Sequence, residues 1–165
     1  YTDPRRFGSI HYAKDFKNHF LIKSLGPEPL SDAFNEDFLY EISRGRKVPI
    51  KALIMNSKIV VGIGNIYACE ALFDSKIKPT KKAHRISKNE ASALVTSIKK
   101  VLKKAIKAGG TTLRDYLNPD SVPGYFKIEL KVYGRGNESC LSCGKILKEI
   151  RMNNRSTVFC SSCQR

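Results

Sequence analysis

Four of the five cysteines fall into two pairs, Cys140 with Cys143 and Cys160 with Cys163, in the spacing C-x2-C-x16-C-x2-C. Each pair has the bite of one edge of a tetrahedron, and the spacing lies in the range of four-cysteine zinc sites. A disulfide pair or a redox dithiol is the weaker alternative, because five cysteines do not pair off evenly. With sulfur in all four positions no ligand site stays open, so the expected cofactor is one structural Zn2+. The intervening "GKILKEIRMNNRSTVF" alternates like paired strands, and its "NN" reads as a β-hairpin turn. A unit this small has little core of its own, so metal binding must supply its folding free energy. Arg155 then sits at the tip of a stapled hairpin. There it is either an ordinary turn arginine or a pre-oriented, permanently charged fork for a phosphate.

A second candidate lies in "VVGIGNIYACEALF". Gly62 and Gly64 bracket a tight turn, and the stripe that follows begins a helix at or near Asn65. Helix starts leave amide N–H groups unpaired and carry partial positive charge, so glycines that permit close approach make an anion seat. A plain interhelical turn is the alternative, and the charge of the chain favours the phosphate reading. Cys69 falls on the helical stripe and reads as a small buried residue. His11, His19 and His84 have no partner at metal-ligand spacing, and no Ser/His/Asp or Cys/His grouping is evident.

Around these candidates the expected elements are mainly helical. Residues 3–25 alternate briefly and suit strand and loop. Ser31 or Asp32 caps a helix carrying Phe34, Phe38, Leu39 and Ile42 on one face and ending near the glycine of "SRGRK". A short helix after Pro49 turns Ile50, Leu53 and Ile54 inward. The longest helix spans 87–108, with Ser87 as cap, Glu90 at the capping-box position, and Leu94, Val95, Ile98, Leu102, Ala105 and Ile106 on one stripe. Its outer lysines, Lys99, Lys100, Lys103, Lys104 and Lys107, form a solvated face rather than a groove contact. Gly109 and Gly110 end that helix, and a polar, turn-rich segment leads to a short β run over 128–133.

Thirty Lys and Arg against fifteen Asp and Glu give 165 residues a net charge of +15. That excess is far more than solubility needs and points to a polyanion, nucleic acid first. A membrane is set aside, since no apolar run approaches the roughly 18 to 20 residues that span a bilayer. The thiol content suits a reducing, cytoplasmic compartment. The opening "YTDPRRFGSIHYA" reads like the middle of a folded, strand-rich segment.

Taken jointly and in order, "DPRRFG", "LGPEPLSDAF", "VVGIGNIYACEALF", "GGTTLRDY", "PGYF…ELKVYGR" and the four-cysteine finger closely resemble the C-terminal part of the bacterial formamidopyrimidine-DNA glycosylases of the Fpg/Nei family. The resemblance runs nearly end to end. It implies a remnant of an N-terminal β-sandwich over 1–25, a helix–two-turn–helix domain over 26–133 with a lesion-capping loop at about 110–126, and a zinc finger over 134–165. It also implies a damaged-DNA binder of base-excision repair, cytoplasmic and nucleoid-associated, monomeric when intact, whose partner is duplex DNA bearing oxidised or abasic sites. Carried over by motif, Gly62, Gly64 and Asn65 match the phosphate seat, Arg155 the finger-tip arginine, and Tyr133 a third phosphate contact. Arg5 and Phe7 match the residues that enter the stack when the base is flipped; an exposed strand aromatic is the plainer reading of Phe7. Thr111, Leu113, Arg114, Asp115 and Tyr116 begin the loop that reads the lesion.

One departure matters. The family's nucleophile is an N-terminal proline amine followed by glutamate, and residue 1 here is tyrosine. The family's void-filling methionine is likewise unmatched by Met55 or Met152. The expectation is a fragment of a glycosylase and abasic-site lyase for oxidised purines that binds DNA without cutting it. The rivals are an endonuclease VIII-type fragment for oxidised pyrimidines and a stand-alone zinc-ribbon nucleic-acid-binding protein.

Overall fold

The computed structural model describes residues 7–109 and 130–165. Arg5 and the loop residues Thr111, Leu113, Arg114, Asp115 and Tyr116 lie outside the described residues. The rest is mainly α-helical, with one two-stranded antiparallel hairpin at the C-terminal end.

Residues 7–25 depart from the expected strand. Phe16–Asn18 forms a 3-10 turn and Phe20–Lys23 (α1) a single helical turn. The Asp15 carboxylate accepts from Asn18 N and His19 Nδ1 accepts from Leu21 N. Local side-chain caps thus satisfy backbone donors that a strand would have needed a neighbour to satisfy.

Glu36–Ser43 forms α2. Its cap is Asn35, whose Oδ1 accepts from Phe38 N at 2.9 Å, and not Ser31 or Asp32. Ser31 instead spends its hydroxyl on Glu28 O, and Asp32 O accepts from the Asn35 amide. Phe34 before the cap and Leu39 in the first turn are fully buried, the two positions of a hydrophobic staple. The helix stops at Ser43, and Gly45, at φ +69°, turns the chain.

Ile50–Ile54 forms α3 behind Pro49, with Ile50, Leu53 and Ile54 inward as expected. Lys51 is buried beside them.

Asn65–Asp74 forms α4, and every residue from Ala68 to Phe73 is buried. A helix apolar all round must be central, and α4 serves two cores. Ala68, Ala71 and Leu72 belong to the larger one, built with α2, α3 and α5. Cys69 and Phe73 belong to a smaller one with Val132, Cys140, Leu147, Val158 and Cys160. This helix therefore ties the finger to the helical body.

Lys88–Lys107 forms α5 and carries the expected capping box: Ser87 Oγ accepts from Glu90 N, and Glu90 Oε2 accepts from Ser87 N. Its buried stripe runs through Ala91, Leu94, Val95, Ile98, Val101, Leu102 and Ala105. Ile106 is not part of it, being 66% exposed. At 100° per residue, Ala105 lies near the middle of the stripe, Val95 marks its edge, and Ile106 passes beyond that edge. The lysine row opposite is solvent-facing, with Lys99 donating to Ser31 O.

The expected β run ending at Tyr133 is not a strand in its described part, residues 130–133. The N–H groups of Lys131, Val132 and Tyr133 all donate to the Glu70 carboxylate, at 2.8–2.9 Å. A carboxylate on α4 takes the role a neighbouring strand would have played. Lys148–Met152 (β1) and Arg155–Phe159 (β2) then pair antiparallel, with Met152 opposite Arg155 as the last pair. Between them Asn153 and Asn154 both have positive φ, 49° and 59°, the type I′ geometry that matches the twist of a two-residue hairpin.

Candidate nucleic-acid interface

The hairpin is clamped at its base by sulfur. The Sγ atoms of Cys140, Cys143, Cys160 and Cys163 all lie within 4.8 Å of one another, with Cys140–Cys163 at 3.9 Å and Cys143–Cys160 at 3.5 Å. Tetrahedral zinc with Zn–S bonds of about 2.3 Å requires S···S edges of about 3.8 Å, so the cluster fits one ion. Ser142 N and Cys163 N donate to Cys140 Sγ and Cys160 Sγ, as knuckle amides do, and Gly144 at φ +73° lets the first knuckle turn. Burial pushes the Cys160 thiol up, but the amides of Cys163 and Ser162 outweigh it and hold it at about 7. Cys163 is pushed up to about 12 by hydrogen bonding to Cys143 and by burial. Cys163 thus keeps its proton until a cation takes its place. Their chemistry is that of a closed, structural zinc site.

The finger is also stitched to the body at its end. Gln164, almost wholly buried, accepts from Cys160 N and donates to Ile77 O, both at 2.9 Å. Arg165 exchanges backbone hydrogen bonds with Lys76 and Lys78. Two anchors, metal and tail, leave the tip little freedom.

At that tip Arg155 is exposed. Its guanidinium has no hydrogen-bond acceptor and no carboxylate among the described residues. A cleft beside it is lined by Lys51, Ala52, Met55, Met152, Asn153 and Arg155, with no acid in its wall. The wall is cationic on both sides.

The helix start lies against the same strand. Gly62, at φ +74°, makes the turn, and Gly64 is the cap of α4 with no side-chain acceptor over the first turn. A Cβ on Gly64 would meet nothing within 4 Å. The N–H groups of Asn65 and Ile66 find no acceptor among the described residues. Asn65 is the first helical residue rather than the cap. Its Nδ2 donates to Ser156 O at 3.0 Å, and its Oδ1 accepts from Lys51 Nζ at 2.6 Å.

Lys51 links these parts. It donates to Thr157 Oγ1 at 2.6 Å and Ser156 O at 3.3 Å as well as to Asn65. Burial lowers its pKa, opposed by the neighbouring Cys69 thiol and reinforced by the Arg155 charge. Burial in turn pushes the Cys69 thiol up, and Cys69 is the small buried residue expected.

The structure thus brings Gly64, Asn65 and Arg155 to one face through strand β2. Tyr133, half-buried, packs between the two cores. Phe7 projects into solvent, 88% exposed. Lys51 and Glu70 escaped the sequence reading, although each announces itself as a lone charge inside an apolar helical run, "PIKALI" and "ACEALF". Among the described residues no further cluster of metal-binding type occurs, and no helix is long and apolar enough to cross a membrane.

Comparison with known proteins places this geometry. Residues 25–116 match the H2TH domain of formamidopyrimidine-DNA glycosylase, and residues 137–165 match the zinc finger found in FPG and IleRS. The chain is 61% identical to the formamidopyrimidine-DNA glycosylase of a Marinomonas species and 54% identical to that of Cellvibrio japonicus, each over 165 residues. It spans 61% of the length of both relatives. The crystal structure of the MutM (FPG) protein of Thermus thermophilus superposes with a TM-score of 0.90 at 38% identity, over 98% of this chain and 62% of that one. Lactococcus lactis Fpg in complex with abasic-site DNA does so with a TM-score of 0.81 at 37% identity, over 88% of this chain and 54% of that one. With its helical body and its finger both matched, the chain belongs to the formamidopyrimidine-DNA glycosylase family.

Proposed function

We propose that this chain forms the DNA-gripping, lesion-reading portion of a base-excision glycosylase and abasic-site lyase for oxidised purines. One observation carries the reading. The Asn65 amide is hydrogen-bonded to the strand that begins at Arg155, so an open helix start and an unpartnered guanidinium share one face of a chain with net charge +15. Both are phosphate donors of complementary kind, one a row of fixed dipoles and the other a fork. In this reading Tyr133 adds a phosphate contact, Arg5 and Phe7 enter the stack opposite the flipped base, and Thr111, Leu113, Arg114, Asp115 and Tyr116 read the lesion.

Lactococcus lactis Fpg, which this chain resembles, has been crystallised with abasic-site DNA and with Fapy-dG DNA. An abasic-site duplex is therefore the probe. The polypeptide of residues 1–165 should bind it more tightly than undamaged duplex. If about three to five phosphates are neutralised, log K should fall against log salt with a slope of roughly −3 to −5. Borohydride should trap no covalent complex between the polypeptide of residues 1–165 and the abasic-site duplex. A flat salt response sinks the phosphate assignments, equal affinity for undamaged duplex favours a general zinc-ribbon binder, and a trapped band shows a nucleophile within these residues.

A further inference from the structure

Lys51 is 2% exposed, and no carboxylate pairs with it among the described residues. An ammonium so placed is costly unless every donor is used. Its three N–H bonds match three acceptors: Asn65 Oδ1, Thr157 Oγ1 and Ser156 O. An apolar side chain of similar length would fill the same space at lower cost. The ammonium therefore has a role beyond filling.

That role follows from its chemistry. Lysine donates and never accepts, so the Asn65 amide must turn its oxygen inward. Its Nδ2 then faces outward, with one N–H spent on Ser156 O and the other left for an acceptor beyond the protein. A neutral residue at position 51 would leave the amide free to flip. The same ammonium holds Thr157, which is wholly buried and whose hydroxyl reaches Arg155 O at 3.5 Å. It thereby sets the spacing between the start of α4 and the first residue of β2.

We propose that Lys51 is a positioning residue: it selects the donor-outward flip of Asn65 and fixes the start of α4 against the finger strand at Arg155, without contacting DNA itself. The proposal rests on the DNA-binding reading of this face. It differs from a direct phosphate contact because Lys51 acts wholly through protein acceptors.

The test is a double-mutant cycle on the 165-residue chain, read as affinity for a duplex carrying a tetrahydrofuran abasic analogue, at matched zinc content. Asn65→Ala should weaken binding by about tenfold in the wild-type background but less than about twofold beside Lys51→Met, since coupled residues do not add. Thr157→Val keeps the charge and the volume and cannot touch DNA, yet should weaken binding by about threefold or more through the lost acceptor. Equal Asn65→Ala factors in both backgrounds, or a Thr157→Val protein that binds like wild type, overturn the proposal. If Lys51→Met fails to fold, the Thr157→Val result decides. The Asn65 side-chain NH2 pair in a nitrogen-15 NMR spectrum gives a readout free of DNA. It should shift and exchange faster with solvent in Thr157→Val, and an unchanged pair counts against positioning. If Thr157→Val shows the NMR response but the wild-type chain binds no duplex, the DNA reading is overturned and the positioning role stands.

Discussion

At the scale of single residues, what distinguishes this molecule is how few of its polar groups near the grip are idle. Lys51 and Asn65 spend their side chains on each other and on strand β2, whereas Arg155 holds out five donors with no acceptor among the described residues. An arginine left unpaired at a rigid tip loses little entropy on binding and gains a bidentate, charge-assisted contact. Arg155→Ala should therefore cost about tenfold in duplex affinity and make the log K against log salt slope less negative by about one. A titration of salt against affinity checks both numbers. Loss of affinity with an unchanged slope would mean that Arg155 stabilises the fold and not the phosphate. Arg155 was legible in the sequence because a hairpin tip between two cysteine knuckles is a local matter. Lys51 was not, because its three acceptors lie 14, 105 and 106 residues away.

At the scale of elements, α5 was the most readable and the segments around it the least. Its capping box and 3.6-residue stripe are written within 20 residues, and the structure moved Ile106 out and Ala91, Ser97 and Val101 in. The cap joins a titratable contact, since Glu90 also accepts from Lys81 at 2.6 Å. Burial raises the Glu90 pKa, but the hydrogen bonds from Lys81 and Ser87 outweigh it and leave it below the ordinary 4.5. A carboxyl whose folded pKa is depressed stabilises above its unfolded value and loses that contribution as pH falls through the folded one. Glu90→Gln keeps a capping amide but not the charge. It should melt about 1–3 °C below wild type at pH 7, as suits a partly exposed pair, and the gap should close by about pH 3. Melting curves at the two pH values test this, and a gap that persists at low pH assigns it to the cap alone. Position 35, not 31 or 32, starts α2 because the Ser31 hydroxyl is spent on Glu28 O while Asn35 Oδ1 reaches Phe38 N, and the 130–133 segment is held by Glu70 rather than by a strand. Both outcomes depend on which acceptor is nearest in space, and propensity carries no information on that.

At the scale of the whole molecule, the finger and the helical body share α4, so metal and fold are coupled. Chelation should release one zinc and unfold the hairpin, whose own apolar contribution to the core is only Leu147, Val158 and Phe159. Its loss would expose Cys69 and Phe73 of α4, which share a core with Cys140, Leu147, Val158 and Cys160. Helical melting should therefore move downward on chelation as well, and duplex affinity should fall further than in Arg155→Ala, because the Lys51 and Asn65 contacts to β2 go with the hairpin. Circular dichroism and anisotropy with and without chelator would show it. A helical body that melts at the same temperature without zinc would mean that the finger is merely tethered.

The sequence by itself determined the features whose causes are close along the chain: the zinc clamp, the Asn-Asn hairpin turn, the capped long helix, the glycine turn before Asn65, and the family to which these belong together. Tertiary structure alone decided that α4 is shared between two cores, that Glu70 stands in for a strand, and that a buried ammonium joins the helix start to the finger. The physical reason is range. Caps, turns and metal knuckles are satisfied by atoms a few residues away, whereas a buried charge is satisfied only by acceptors that folding brings to it from elsewhere in the chain.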